Sequence, residues 1–392
     1  MSIQLFKANY DVEACLEQIR ECLEKGWTGM GFKTVEFEEE WKKYTGHKNA
    51  YYLNSSTAGL YMAVDTLKSV YGWEDGDEII STPLTFISTN HAIAKSDMKV
   101  VFADVDDTLC LDPRDVKKKI TKKTKAVIFV GFGGNTGKFK QVAKICKDNG
   151  LKLILDAAHM AGTRYKGGGV PGTNGDADIT VYSFQAVKNL PTADSGMICT
   201  DNDKLDEIFR MKAWLGINKD TYARTVNKDG TYKWKYDVDY VGDKYHGNSI
   251  MAGIGLAQLK VLDRDNSYRR TLAEWYTEEF ENYSDQIGLI SIPKDCISSR
   301  HLFQILVSDR DGLMMFLNAN DVYPGVHYTN NTEYKMYEYG KGECPKADFI
   351  SEHIISLPMH MGVTFEDVKY ITGLVIKYVM EIRNGEQLYK NG

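Results

Sequence analysis

The sequence of 392 residues predicts an α/β protein: a mostly parallel seven-stranded sheet flanked by helices, with a smaller α+β C-terminal domain. Three observations predict it. Short runs that are apolar nearly throughout recur between Tyr51 and Thr200, helix-length stretches separate them, and a shorter mixed pattern follows Ile290. Strands of that composition belong in a parallel sheet covered on both faces, because only there does neither face meet water.

Seven runs supply the strands in order: NAYYL (49–53), EIISTPLTF (78–86), KVVFADV (99–105), KAVIFVGF (125–132), LKLILDAA (151–158), DITVYSF (178–184) and GMICTD (196–201). Between the fourth and fifth, TGKFKQVAKICKDNG sets Phe139, Val142, Ala143 and Cys146 on one helical face, turns its lysines outward and stops at Gly150. From Thr221 to Gly247 the chain becomes aromatic and charged, and from Ser249 to Tyr283 it reads as one long helix. HLFQILV (301–307) and HIISLPM (353–359) are strand-like, and TFEDVKYITGLVIKYVMEI (364–382) is helical. The expected layout is a large α/β domain over 1–250, opened by an arm over 1–30 that contributes to the active site. A connecting helix over 251–285 then leads to the small α+β domain over 286–392.

Composition excludes several classes. A net charge of −6 and a pI near 5.8 are wrong for a general nucleic-acid binder, which must neutralise phosphates with a basic surface. The basic group Lys117, Lys118, Lys119, Lys122 and Lys123 reads as a solvated helix end. No run approaches the roughly 20 apolar residues of a membrane span, and Met1 to Tyr10 lacks the regions of a signal peptide, so a cytoplasmic protein is expected. Seven scattered cysteines without CxxC spacing suggest neither a disulfide framework nor a zinc site.

Chemistry gathers at the ends of the strand-like runs. VGFGGNTGKF (130–139) fails as a phosphate loop, since Phe132 stands where the first glycine belongs and Phe139 where a magnesium-binding hydroxyl belongs. Thr136 likewise replaces the third glycine of a dinucleotide fingerprint. In LNSSTAGLYMAVDTL (53–67) a strand passes at once into a helix. There the free N–H groups of Ser56, Thr57 and Ala58, with the helix dipole, make a phosphate seat; taken alone, the same residues are a plain N-cap. Asp156, in LILDAAHMAG, ends a buried strand where open α/β sheets hold ligands, yet alone it is equally a helix cap, and His159 alone reads as a core histidine. Lys188 follows in TVYSFQAVKN, five residues after Ser183. A single lysine is ordinarily a solvated charge. A phosphate seat, a strand-end acid, a hydroxyl and a lysine together are what pyridoxal phosphate needs for its phosphate, its pyridine nitrogen and its aldehyde.

At these residues the chain resembles the DegT/StrS-type sugar aminotransferases, a branch of the fold-type-I pyridoxal-phosphate enzymes. SSTAGL (55–60), PLTF (83–86), DAAH (156–159), YKG (165–167), SFQAVKN (183–189), AGIGLAQL (252–259), GVHY (325–328) and ISLPMH (355–360) carry the likeness in order over nearly the whole chain. The resemblance implies pyridoxal 5′-phosphate as cofactor, with Lys188 as its Schiff-base nucleophile and Asp156 paired with the pyridine nitrogen. His159 would contact the ring or its 3′ oxygen, Phe86 would stack on a ring face, and Ser183 with Thr57 and Ala58 would hold the phosphate. Thr28, Met30, His327 and Tyr328 are the candidate substrate-facing positions.

The resemblance also implies a homodimer with shared active sites, in which GDKYHG (242–247) puts Lys244 where relatives carry an Asn and His246 where they carry an Arg. Two further departures are TADSG (192–196), where Asp194 and Ser195 replace a Glu and a Gly, and VGFGGNTGKF, where many relatives carry a His-Leu-Tyr-Gly type segment. The implied reaction moves an amino group from an amino acid, expected to be L-glutamate, to a keto sugar, expected to be nucleotide-linked. Two rivals share the fold. One is a sugar dehydratase, against which Lys188 speaks because dehydrating relatives typically carry histidine there. The other is a catalytically silent regulatory protein, against which the intact residue set speaks.

Overall fold

All seven expected strands form, and they share one sheet. A computed structural model of the chain describes residues 2–218 and 236–390. Strands β1 (Asn49–Leu53), β2 (Glu78–Ser81), β3 (Lys99–Phe102), β4 (Thr124–Val130), β5 (Lys152–Asp156), β6 (Ile179–Ser183) and β7 (Gly196–Thr200) lie in the order β1-β7-β6-β5-β4-β2-β3. Only β7 runs against the rest, antiparallel to both β1 and β6. Val181, Tyr182, Met197 and Ile198 in the centre are all buried, as a sheet flanked by helices requires.

Local chemistry sets the helices. Ser55 caps the helix Ser56–Tyr71 through its hydroxyl, and Gly72 ends it in a left-handed conformation. The helix Phe139–Asp148 buries Phe139, Val142 and Cys146 against β4 and β5, with Ala143 half-buried at the edge of that face. All seven cysteines are buried and unpaired. Among the described residues no helix is long and apolar enough to cross a membrane.

The parallel strands aim the site. Val130 in β4 pairs with Asp156 in β5, and Asp156 with Val181 in β6, so the three strands release their chains along one edge of the sheet. In open α/β sheets that edge is where ligands lie.

Two expectations need correction. The single helix expected over 251–285 is two, Ser249–Leu259 and Leu262–Phe280, followed by a 3₁₀ turn at Glu281–Tyr283. The halves have different partners: the first, apolar nearly all round, packs against Val12–Glu24 and Phe32–Thr45, while the second packs against the C-terminal helix Phe365–Lys390. The start of the chain, expected in the large domain, adds a short strand Ile3–Gln4 parallel to Val322–Tyr323, because Ile3 packs on a second hydrophobic core. That core includes Tyr276, Phe303, Ile305, Leu313, Ile355 and Val375, and it encloses a three-stranded antiparallel sheet of Gly288–Leu289, Phe303–Leu306 and Ile354–Leu357. Of the aromatic stretch after Thr221, the part up to residue 235 lies outside the described residues.

Candidate active site

A cavity of about 590 Å³ opens at the carboxyl edge of the sheet. Ser56, Thr57, Phe86, Asp156, His159, Ser183, Lys188, His327 and Tyr328, each expected from the sequence, all line it. Phe6, Gln185, Asp194 and His301 also line it.

The turn before the helix Ser56–Tyr71 forms one end. Ser56 and Thr57 are its first two residues, so their amides have no partner within the helix. The Ala58 amide, expected to serve a phosphate, is instead taken by the Ser55 hydroxyl at 3.1 Å, since the third amide of a helix is the one a serine cap reaches. Ser56 Oγ is buried and has no hydrogen-bond partner among the described residues. Glycine at 196 makes the seat possible, because a Cβ there would lie 2.6 Å from the Ser56 nitrogen.

Asp156 forms the floor. Thr89 donates its hydroxyl to Oδ2 at 2.7 Å, and the Ala158 amide donates to Oδ1 at 3.1 Å. Burial raises its pKa, while both donors and the charge of Lys188 oppose the rise. Lys188 is half-buried, and no hydrogen bond or ion pair engages its Nζ among the described residues. Burial lowers its pKa from 10.5 to about 8, against the pull of Asp156.

His159 is fixed from both sides. The Gly133 amide donates to Nδ1 at 3.1 Å, so the neutral ring carries its hydrogen on Nε2, 3.0 Å from the Tyr328 hydroxyl. Burial, Lys188 and His327 hold its pKa well below the usual value. The glycine-rich segment rejected as a phosphate loop therefore has another task. It is a 3₁₀ turn, Phe132–Gly134, with Gly133 and Gly134 at φ of 61° and 89°, and it orients this histidine. His301 lies 4.4 Å from His159 between ring centroids, and Phe6 stacks on His301 at 5.6 Å. His327 bonds Ser356 Oγ through Nδ1 at 2.9 Å, and burial with Lys188 brings its pKa down to about 4.

Four expected residues stay outside their own chain's cavity: Ala58, whose amide the Ser55 hydroxyl takes, and Lys244, Thr28 and Met30. Lys244 is exposed, with Nζ 5.6 Å from the centre of the Trp214 ring. The Thr28 carbonyl accepts the Ser249 amide, and Met30 meets Trp27 and Tyr51. The altered segment after the lysine divides in two: Asp194 faces the cavity, while Ser195 turns into the core, 2.6 Å from Thr192 Oγ1.

The model of the DegT/DnrJ/EryC1/StrS aminotransferase family matches residues 9–375. The chain belongs to that family. It is a pyridoxal-phosphate-dependent sugar aminotransferase of fold type I. Among family relatives, it is 32% identical over 367 residues to the spore coat polysaccharide biosynthesis protein SpsC of Bacillus subtilis, covering 90% of this chain and 91% of the other. The aminotransferase TlmJ of Streptoalloteichus hindustanus superposes with a TM-score of 0.87 at 28% identity, over 97% of this chain and 100% of the other. PseC of Helicobacter pylori, an aminotransferase involved in the biosynthesis of pseudoaminic acid, gives 0.88 at 25% identity with the same coverage.

The residues present fit the family's cofactor. The unpartnered Ser56 hydroxyl and the two free amides suit a phosphate, the buried Asp156 suits a pyridinium nitrogen, and the unpaired Lys188 amine suits an aldehyde. Several lining residues were not among those the sequence pointed to. Gln185 sits inside the lysine motif, where its proximity was the available signal; Phe6 and His301 come from segments with no motif, and Asp194 stood out only as a departure.

Proposed function

We propose that this aminotransferase moves an amino group from L-glutamate to a keto sugar carried on a nucleotide, with Lys188, Asp156 and His159 as its catalytic residues. The observation that carries the reading is Lys188, an unpaired amine with a pKa of about 8, in one cavity with a buried carboxylate and a phosphate seat. Ser56, Thr57 and Ser183 would hold the phosphate of pyridoxal phosphate, Asp156 its ring nitrogen, Phe86 one ring face and Lys188 its aldehyde carbon. The cofactor, when bound, supplies an electron sink for the carbanion at the carbon that carries the amino group.

The chain supplies the rest. With a pKa near the working pH, Lys188 takes up and returns a proton at Nζ without a steep penalty in either direction. Asp156, supported by Thr89 and the Ala158 amide, stabilises positive charge held beside it. His159, fixed by Gly133, donates to Tyr328, which leaves the tyrosine's own hydrogen free for an acceptor in the cavity. Neutral His327 offers its Nε2 to sugar hydroxyls. The cavity suits a cofactor and one sugar ring, so a nucleotide would extend past Phe86 and Asp194, both exposed at the mouth.

In the same reading the enzyme is a homodimer, and Lys244, Thr28 and Met30 serve the partner's cavity. Their exposure or distance from their own cavity supports that role. The test is direct. L-glutamate added to the loaded enzyme should give a stoichiometric burst of 2-oxoglutarate, and nucleotide-linked keto sugars should turn over where the free sugars do not. No burst would remove glutamate as donor, and a fully active monomer in sedimentation would remove Lys244 from the site.

A further inference from the structure

A second cavity, of about 170 Å³, lies behind the glycine turn that holds His159. Phe132 and Gly133 form one wall, and Thr277, Ile290, Arg300 and Gln304 form others, so it sits where the sheet's turn, the helix Leu262–Phe280 and the three-stranded sheet meet. Its volume has room for a small anion and several waters.

Two of its side chains lack what burial normally demands. Gln304 is only 6% exposed, yet its Nε2 has no hydrogen-bond partner among the described residues. A buried amide donor left unmade costs on the order of the full desolvation of that group. Arg300 is half-buried, and among the described residues no ion pair or side-chain hydrogen bond satisfies its guanidinium. Burial lowers its pKa; Glu274 and Cys296 are near enough to oppose that, but neither pairs with it. Buried cations are ordinarily paired. Arg300 also holds a left-handed backbone at φ 49°, a conformation that costs energy for a residue with a Cβ. A guanidinium and an amide N–H facing one small cavity are the donors that recognise an oxyanion.

We propose that this cavity is a binding site for a compact oxyanion, a phosphate or a small carboxylate, held by the Arg300 guanidinium and the Gln304 amide. The site is separate from the cofactor's phosphate seat, and no described residue lines both cavities. Gly133 lines this cavity and donates its amide to His159 in the active site, so an occupant bears on that histidine through one residue.

The test uses the enzyme loaded with pyridoxal phosphate, so that the cofactor's own seat is filled, and titrates inorganic phosphate and acetate separately by calorimetry. Wild type should bind one of them with a Kd on the order of 1 mM, the range open to a few charge-assisted hydrogen bonds. Arg300→Gln should weaken it at least tenfold and Gln304→Glu should abolish it, with the cofactor's absorbance unchanged in both. The tighter titrant names the source of the oxyanion. Equal binding in wild type and both variants, or no binding of either titrant to wild type, overturns the proposal. Gln304→Glu keeps the test decisive should Arg300→Gln fold poorly.

Discussion

The Nε2 atom of His159 lies 3.0 Å from the Tyr328 hydroxyl while its Nδ1 accepts the Gly133 amide, so the imidazole donates and the tyrosine accepts. The tautomer follows from these two bonds. Tyr328 therefore keeps its own hydrogen for the cavity, and burial holds the phenol protonated far above its usual range. Tyr328→Phe should fold normally and lower kcat roughly tenfold, the value of one hydrogen bond in the reaction. Nitrogen NMR of His159 should still show the hydrogen on Nε2. An unchanged kcat would mean that the hydroxyl only packs.

Lys188 carries a stability cost that its role explains. The free side chain titrates near 10.5 and the folded one near 8, so below pH 8 the folded state bears the whole cost of holding an ammonium there. That cost shrinks as pH rises from about 8 to 10.5 and is gone above it. Lys188→Met should thus stabilise the cofactor-free protein at pH 7, by about 1 kcal/mol after allowing for the solvent that reaches a half-buried group. The gain should fade by pH 10.5. Denaturant titrations at both pH values check the sign, and a destabilised variant at pH 7 would show that the amine is paired.

Ser56 separates stability from binding. Its Oγ has no partner among the described residues, so removing it forfeits no hydrogen bond there. Ser56→Ala should leave the melting temperature of the cofactor-free protein unchanged or slightly raised and weaken pyridoxal phosphate about tenfold. The two readouts move in different directions only if the hydroxyl waits for a ligand.

The sheet was legible because its strands are apolar on both faces and recur at helix-length intervals. Asp156, Ser183 and Lys188 were legible because strand ends in a parallel sheet share one edge, and chemistry collected there. The break at Lys260–Val261 was not, since Ser249–Leu259 and Leu262–Phe280 are both good helices whose separate partners are far away in sequence. Phe6 and His301 were hidden for the same reason: stacking between residues so distant in sequence leaves no local pattern. The Ala58 amide was misassigned because the sequence shows a cap and a phosphate seat as the same residues, and only geometry says which amide each takes.

The segment after Lys188 differs from the family pattern at Asp194 and Ser195, and the structure separates the two changes. Ser195 is buried, and since Thr192 gives its hydrogen to the Phe184 carbonyl, the serine donates to Thr192 at 2.6 Å. A glycine there would lose that bond and add backbone freedom to the unfolded chain. Ser195→Gly, which restores the family's residue, should therefore lower stability by about 1–2 kcal/mol and leave kcat/KM within about twofold. Asp194 is exposed at the cavity mouth, so Asp194→Asn should do the reverse: an unchanged melting temperature, with KM for one substrate raised about tenfold as a charge-assisted contact is lost. Steady-state kinetics beside thermal melts on the pair would decide it, and a large loss of kcat/KM in Ser195→Gly would place the serine in substrate recognition instead.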